Sequence, residues 1–106
     1  MRFSCPYLGG EVELSEEREK HIGDRHPELL PKIRERIRAT LADPYEVRRS
    51  ARSASARLFS RWFDDIMGGK HVVVVVVSEV KPRRHWVITA YVVSKLGQGA
   101  VEWTRS

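Results

Sequence analysis

The pattern of hydrophobic and polar positions divides the chain near residue 45, where its period changes from helical to strand-like. Before this point, four apolar residues recur at spacings of three and four: Leu30, Ile33, Ile37 and Leu41. This spacing predicts an amphipathic helix within residues 27–44. An earlier helix is predicted to begin after Ser15, a favourable N-cap residue, and to end near His26, because Pro27 disfavours helical geometry in the residue before it.

After residue 45 the apolar and β-branched residues follow a period of two, which predicts strands. They fall in four segments separated by short turns, namely residues 45–65, 71–80, 85–94 and 100–104. Short turns join antiparallel neighbours. The run Val72–Val77 is expected to be an interior strand buried on both faces, since on an exposed edge it would promote aggregation. The first fourteen residues add a short hairpin.

These elements predict one α+β domain over residues 1–106. An N-terminal hairpin or strand and two helices would pack on one face of a roughly four-stranded antiparallel sheet. Hydrophobic residues make up 42% of the chain and charged residues 31%, the balance of a globular protein. Cys5 is the only cysteine, which excludes an intrachain disulfide and favours a reducing, cytoplasmic setting. No apolar run approaches the roughly 20 residues of a membrane-spanning helix, so no membrane contact is expected.

The positive charge is concentrated in the strand-rich half of the chain. The net charge is +5, and residues 1–50 contain ten Lys and Arg against ten Asp and Glu, whereas residues 51–106 contain nine against four. A basic sheet is typical of proteins that bind polyanions such as RNA or DNA. A protein that is simply basic would have the same composition, so charge alone does not distinguish the two.

Two predicted strands carry side chains suited to a nucleic-acid ligand. In residues 85–94, alternation places the hydroxyls of Thr89 and Tyr91 on one face, together with Val87, so this face meets water, a ligand or a polar network. In residues 57–63, basic and aromatic side chains share a face, which suits phosphate pairing and base stacking. These are Arg57, Phe59, Arg61 and Phe63. A half-exposed sheet and an edge strand with snorkelling arginines would explain both patterns without a ligand.

The segment HIGDRHPE, residues 21–28, places two histidines at the end of the first predicted helix. His21 and His26 are about 140° apart around a helix, so they do not share a face as zinc-binding histidines four residues apart would. With a single cysteine, a zinc site has little support. Cations at a helix C-terminus interact favourably with the helix dipole, so capping would explain both residues structurally.

Other catalytic arrangements are missing from the sequence. It contains no Gly-x-Ser-x-Gly motif, no phosphate-binding glycine-rich loop before a helix, and no acidic cluster able to hold magnesium. Nothing near Cys5 indicates a lowered thiol pKa. His71 and His85 lie at the ends of predicted strands and are expected to be solvated residues of the scaffold.

The order of several short motifs resembles a known family. A strand with VELSEER, a helix closing on HIGDRHPE, a second helix ending in ADP and a late strand with ITAY follow one another between about Val12 and Trp103. This order is similar to that of the phage-associated branch of the barnase–EndoU–colicin–RelE-like (BECR fold) nucleases, small metal-independent RNases. The fold that the resemblance implies, two amino-terminal helices followed by a four-stranded antiparallel sheet, agrees with the layout predicted from patterning.

The resemblance also implies a reaction and a site. In such enzymes the ribose 2′-OH attacks the adjacent phosphate and leaves a cyclic phosphate and a 5′-OH, without a metal or cofactor. The protein supplies a base, an acid and cations. His26, Thr89 and Tyr91 match family positions that face the cleft and are the expected catalytic residues. The expected phosphate-binding residues are Arg25, Arg61, Arg57 and Lys70. Which residue is the base and which the acid stays open.

The expected function is therefore that of a toxin-like endoribonuclease in the cytoplasm, with RNA as substrate and an antitoxin or immunity protein as a further partner. The alternative is a non-catalytic module on the same fold that binds nucleic acid or a partner protein through its basic sheet. A third interpretation is a structural protein with a solvated basic face. Salt-dependent affinity for RNA distinguishes the second from the third.

Overall fold

The computed structural model describes residues 1–105 and shows, within them, two α-helices and one seven-stranded sheet. The elements are β1 (Arg2–Cys5), β2 (Gly10–Glu13), α1 (Glu16–Arg25), α2 (Ile33–Ala42), β3 (Glu46–Arg49), β4 (Ala56–Phe63), β5 (Lys70–Val80), β6 (Arg83–Val93) and β7 (Ala100–Thr104). Short 3₁₀ turns cover Pro6–Leu8 and Pro27–Leu29. The predicted α+β class is confirmed.

The strands lie in the order β1-β2-β6-β5-β4-β3-β7. Each neighbouring pair is antiparallel except β2 and β6, which are parallel and meet at one position, Glu13 opposite Trp86. The prediction of a roughly four-stranded antiparallel sheet is therefore wrong in this detail. The hairpin joins the sheet through β6, and residues 45–65 form two strands. The prediction that Val72–Val77 is interior is confirmed, because β5 lies between β4 and β6.

Helix α1 has the boundaries that its flanking residues predict. The side chain of Ser15 accepts a hydrogen bond from the backbone N–H of Arg18 at 3.1 Å, and the helix ends at Arg25 with His26 as its C-cap. Helix α2 begins later than predicted, at Ile33, and Leu30 is exposed in an extended conformation. Leu30 precedes Pro31, whose ring disfavours helical geometry in the residue before it.

Both helices cover the same face of the sheet. Helix α2 packs on β1, β4 and β5, and α1 packs on β6. This side holds the core, with fully buried residues from both helices and the central strands: Ile22, Ile37, Leu41, Phe59, Val72 and Val74. Alternate residues of the same strands point to the other side of the sheet, which we call the uncovered face. They include Ser60, Val73, Tyr91 and Val93.

A register irregularity in β6 changes one predicted face. The pairing shifts between Val75 and Val76, so that Ile88 is the extra residue of a β-bulge. Val87 therefore lies in the core rather than beside Thr89 and Tyr91. Thr89 and Tyr91 still share a face, as predicted.

The turn between β1 and β2 contacts β7, although the two lie at opposite ends of the sheet order. The hydroxyl of Tyr7 donates to Glu102 at 2.6 Å, and the ring centroid of Tyr7 lies 5.7 Å from that of Trp103. Glu102 also accepts hydrogen bonds from Arg57 at 2.7 Å and from Arg49 at 3.1 Å. The Glu102 carboxylate of β7 thus binds side chains from the β1–β2 turn, β3 and β4.

A Glu102→Gln variant is expected to be less stable at neutral pH by about 1–3 kcal/mol. Burial alone raises the pKa of Glu102, but the hydrogen bonds from Tyr7 and Arg57 and the charges of Arg57 and Arg49 outweigh it and hold the pKa below its ordinary value. A lowered carboxyl pKa stabilises the fold above the unfolded-state pKa, about 4.3. That stabilisation is lost as the pH falls through the folded-state pKa.

Urea unfolding of wild type and variant at pH 7 and at pH values below about 4 measures this prediction. The difference in unfolding free energy is expected to shrink on acidification. A difference of constant size across this range would show that the Glu102 carboxylate contributes no pH-dependent stability.

Candidate functional site

A cleft of about 270 Å³ opens on the uncovered face, beside the loop that joins β6 to β7. Strands β3 to β6 form its floor, and residues 95–98 of the loop form a wall. Its apolar lining consists of Leu58, Val73, Val93 and Leu96. Its polar lining consists of Arg48, Ser60, Tyr91, Lys95 and Gln98. Apolar walls with a few convergent polar groups are typical of a ligand-binding site.

Several polar groups at this cleft have no partner within residues 1–105. The Nε atom of Arg48 is buried without a hydrogen-bond partner, although its Nη2 atom lies 3.3 Å from Glu46. The Tyr91 hydroxyl, the Lys95 ammonium and the Gln98 amide form no hydrogen bonds in that part of the chain. Lys95 and Gln98 are exposed to water, whereas the Nε atom of Arg48 is buried. Because an unpartnered polar group is costly only where water is excluded, the Arg48 Nε atom is the one that indicates a place for a polar ligand.

Several cations elsewhere on the molecule are paired with carboxylates. Their ion pairs include Arg34 with Glu19, Arg36 with Asp65 and Arg84 with Glu13, at distances of 2.8, 2.9 and 3.1 Å. The guanidinium of Arg36 also lies over the ring of Phe63. At the cleft, Arg48 is likewise paired with Glu46 at 3.3 Å. Lys95 is exposed and forms no ion pair within residues 1–105, so it is the cleft cation more open to an anion.

His26 and Tyr91 meet at an edge of β6 beside this cleft. Beyond Trp86, β6 has no paired strand on this side among the described residues, and the end of α1 and the turn Pro27–Leu29 pack there instead. The ring centroids of His26 and Tyr91 lie 6.1 Å apart, with a tilt of 44° between the planes. The Nδ1 atom of His26 lies 3.4 Å from Glu28 Oε1, which forms an ion pair when the ring is protonated.

Thr89 shares the uncovered face with Tyr91. Thr89 lies opposite Val75 and Tyr91 opposite Val73, two positions further along β6. Burial raises the pKa of the Tyr91 phenol, and the charge of Arg52 offsets part of this rise. Tyr91 is therefore a neutral phenol at physiological pH and can donate its proton in a hydrogen bond.

The structure does not bring Arg57 and Arg61 to this site. Both lie on the helix-covered side of β4, where Arg57 binds Glu102. Arg61 donates to the Asp43 carboxylate at 3.1 Å and lies over the ring of Tyr45. Their alternation with aromatic residues, which suggested base stacking, has a structural cause. The aromatic residues of that face belong to the core or its rim, and the arginines border it.

Lys70 and Arg25 occupy different surroundings. Lys70 donates to the backbone carbonyls of Met67 and Gly69, each at 3.2 Å, and so stabilises the turn before β5. Arg25 is exposed at the end of α1, immediately before His26. Of the four predicted phosphate-binding residues, Arg25 is the one adjacent in sequence to the His26–Tyr91 contact.

Sequence reasoning missed the cations of the cleft. Arg48 alternates with the buried Val47 in β3, and this alternation was a usable signal for a side chain on the uncovered face. Lys95 and Gln98 lie in a predicted turn, and no local pattern shows which face a turn will fold against. Which partners Arg48, Lys95 and Gln98 find is decided by the tertiary structure and is not visible in the sequence.

Two histidines that were expected to be solvated are partly or fully buried. His85 is buried on the helix-covered side, with Nδ1 2.7 Å from the Ser78 hydroxyl. His71 is half-buried, with its ring edge-on to Trp62 at a centroid distance of 4.9 Å. Burial lowers the pKa of both imidazoles, aided at His85 by nearby arginines and opposed at His71 by Glu46. The prediction for His85 is wrong because cross-strand neighbours, rather than position in the strand, determine its burial, whereas His71 remains partly exposed.

No protein-family model, curated protein or solved structure matches the chain. Within residues 1–105 there is no group of three or more His, Cys, Asp or Glu side chains placed to hold a metal ion. In the same residues no helix is both long and apolar enough to cross a membrane. The fold and the cleft define an α+β protein with a polar, cation-bearing cleft on the uncovered face of its sheet.

Proposed function

We propose that this protein is a toxin-like, metal-independent endoribonuclease that cleaves RNA by attack of the ribose 2′-OH on the adjacent phosphate. The observation that carries the proposal is the contact of His26 with Tyr91 beside a cleft that is lined by Arg48 and Lys95, with the Arg48 Nε atom buried and without a partner. The resemblance of the motif order to the BECR-fold nucleases points in the same direction. It connects HIGDRHPE with ITAY, which lie more than sixty residues apart in the chain.

The roles follow from the chemistry that this reaction needs. His26 is a proton-transfer group, because an imidazole exchanges protons near neutral pH. Tyr91 and Thr89 orient the phosphate by donating hydrogen bonds from their hydroxyls. Arg48 and Lys95 stabilise the extra negative charge of the phosphorane transition state, and they take the place of Arg57 and Arg61 in this role.

The proposed reaction also sets the expected surroundings of the protein. RNA is the substrate, and an antitoxin or immunity protein that covers the cleft would protect the RNA of the cell that makes it. We place the protein in the cytoplasm, where RNA is abundant and where the single thiol of Cys5, which is buried, stays reduced.

Incubation of the purified protein with mixed RNA in the presence of EDTA is expected to yield fragments with 2′,3′-cyclic phosphate ends. The nucleophile belongs to the RNA, so EDTA should not inhibit the reaction. An RNA with 2′-O-methyl groups throughout is the matched control and should stay intact, because it lacks the attacking hydroxyl. Cleavage of the methylated RNA, or no cleavage of either, would contradict the proposed mechanism.

The second candidate function is a non-catalytic module that binds nucleic acid. The cations that line the cleft favour it to the same degree, since phosphate binding does not require proton transfer. Such a protein would bind RNA with an affinity that falls steeply with salt and would leave the RNA uncleaved. Persistent, salt-dependent binding without cyclic-phosphate products would therefore favour this second function over the first.

Under either function, a double Arg48→Gln and Lys95→Gln variant is expected to bind RNA about 10–100-fold more weakly, with a salt slope lower by about two. The matched control is Arg34→Gln with Lys20→Gln, which changes the net charge by the same amount. Both control residues lie on the helices and are paired with carboxylates. Titration of a fluorescent single-stranded RNA at several salt concentrations measures the effect. Equal losses in both double variants would indicate binding by net charge rather than by the cleft.

A further inference from the structure

We propose that His71 is the second proton-transfer group of this site and accepts the proton of the attacking ribose 2′-OH, while His26 protonates the leaving 5′ oxygen. The inference rests on the proposed ribonuclease function. It assigns a role to a residue that the sequence analysis placed in the scaffold, and it supplies the base that the motif resemblance leaves unidentified.

The register of the sheet places His71 on the uncovered face next to the cleft. His71 lies opposite Val93 of β6, which lines the cleft, and two residues before Val73, which lies opposite Tyr91. Residues two apart in a strand share a face. His71 and Tyr91 are therefore diagonal neighbours in adjacent strands, about 7–8 Å apart and within reach of long side chains. Ser60 of β4 is a second diagonal neighbour, because it pairs with Val73.

The ring of His71 is held by its neighbour Trp62. Trp62 lies edge-on to it at 74°, and its indole N–H donates to Asp64 at 2.7 Å. Trp62 also packs directly on Gly69, which has a φ of +113° and where a Cβ atom would overlap the indole ring. The indole is thus held by its contacts with a glycine and a histidine and by its hydrogen bond to Asp64. This packing limits the orientations of the His71 ring before any substrate binds.

Other polar groups of the site are poorly suited to accept the proton. Burial raises the pKa of Tyr91, so its phenol stays protonated at neutral pH. The carboxylate of Glu46 lies 3.3 Å from the Arg48 guanidinium and is engaged there. The ring nitrogens of His71 form no hydrogen bond within residues 1–105, and burial keeps its pKa below the ordinary value, although Glu46 opposes this effect.

Glu46 is the charged group that acts on His71, and the cations Arg48 and Lys95 line the adjacent cleft. Strand β3 presents Glu46, β6 presents the neutral Tyr91, and β4 presents the uncharged Trp62 and Ser60. An unprotonated imidazole in this setting can take a proton at neutral pH.

The proposed step balances in protons and electrons. The 2′ oxygen forms a bond to phosphorus as its proton passes to a ring nitrogen of His71. The bond between phosphorus and the 5′ oxygen breaks, and the oxygen keeps the electron pair and takes a proton from His26. The products are a cyclic phosphate and a 5′-OH. Proton exchange with water then returns His71 to its neutral form and His26 to its protonated form.

The test compares two substrates that differ in their need for an acid. RNA has a poor leaving oxygen that must be protonated, whereas 4-nitrophenolate leaves without a proton. The probes are mixed RNA and the nucleoside 3′-(4-nitrophenyl phosphate) esters of all four bases. His71→Gln is expected to slow both reactions by about 10²–10⁴-fold. His26→Gln is expected to slow RNA cleavage by a similar factor and to leave cleavage of the aryl esters nearly unchanged.

The pH dependence of the cleavage rate distinguishes a catalytic role of His71 from a purely structural one. The wild-type rate on the aryl esters should rise with pH through the pKa of His71 and then level off, and the His71→Gln profile should lack this rise. His21→Gln, on the exposed surface of α1, is the control for loss of a histidine. His71→Phe is measured alongside, because it keeps an aromatic ring against Trp62 and so preserves the packing.

The possible outcomes test the role of His71 separately from the ribonuclease function on which it rests. If the wild type cleaves neither substrate, the ribonuclease function fails and the role of His71 with it. If the wild type cleaves both, but both His71 variants keep the wild-type rate and pH profile on the aryl esters, the inference alone is overturned. Slower cleavage of RNA with normal cleavage of the aryl esters would make His71 the acid and would overturn its assignment as base.

Discussion

Replacing His26 by alanine is expected to slow RNA cleavage by about 10²–10⁴-fold without unfolding the protein. The loss follows from removal of the proton donor beside Tyr91. The fold should persist, because His26 caps α1 through its backbone N–H, which donates to the Ile22 carbonyl at 2.7 Å and remains in the variant. Cleavage rates and thermal unfolding of the same preparations measure the two effects.

The matched control for this variant is His21→Ala, five residues earlier in the same helix. His21 is exposed, so its loss should alter neither cleavage nor stability by a measurable amount. Tyr91→Phe should also cleave more slowly, because it loses the hydroxyl that orients the phosphate. If His26→Ala cleaves RNA at the wild-type rate but melts at a lower temperature, His26 is a helix-capping residue and has no catalytic role.

A Gly99→Ala variant is expected to lose at least about 2 kcal/mol of stability. Gly99 has a φ of +81°, and a Cβ atom there would overlap the backbone carbonyl of Arg49 in the neighbouring strand β3. The carbonyl belongs to the sheet and cannot move aside as a flexible side chain would. Because Arg49 pairs with Ala100, the overlap falls where β7 begins to pair with β3.

Gly97→Ala, in the same loop, is the control for this prediction. A Cβ atom at Gly97 would meet no atom within 4 Å, so this change should leave stability within about 0.5 kcal/mol of the wild type. Urea unfolding measures both variants. Gly99→Ala should also bind RNA more weakly, since the Gly99 carbonyl accepts from Arg48 at 3.5 Å beside the cleft. Equal stability of the two variants would mean that the loop shifts freely and does not constrain β7.

Local signals predicted much of the fold. Ser15 and Pro27 bracket α1 because capping and the proline restriction act over one to three residues. The valine run of β5 identified an interior strand because its residues tolerate burial on both faces. The parallel pairing of β2 with β6 could not be predicted, since it joins residues that are distant in sequence through a single paired position, Glu13 opposite Trp86. Leu30 fitted the helical spacing, but Pro31 overrides periodicity at that position.

The candidate site was predictable only in part, because some of its residues are brought together by the tertiary structure alone. His26, Thr89 and Tyr91 could be proposed from motif order, and the structure brings His26 to Tyr91 and keeps Thr89 on the same face. The cations could not be chosen from the sequence, because no local pattern shows which arginines line the cleft and which are held by carboxylates elsewhere. Arg57 is bound by Glu102, 45 residues away. Such pairings are decided by tertiary structure.

The hydrogen bond between Tyr7 and Glu102 spans 95 residues and has a consequence for biosynthesis. While the ribosome is still making β6, the N-terminal turn has no β7 to bind, and the loop that walls the cleft has no strand to anchor its far end. Contacts of such long separation form late, because the entropy of closing the intervening chain must be overcome first. The nascent protein therefore completes the wall of its cleft only after β7 has left the exit tunnel.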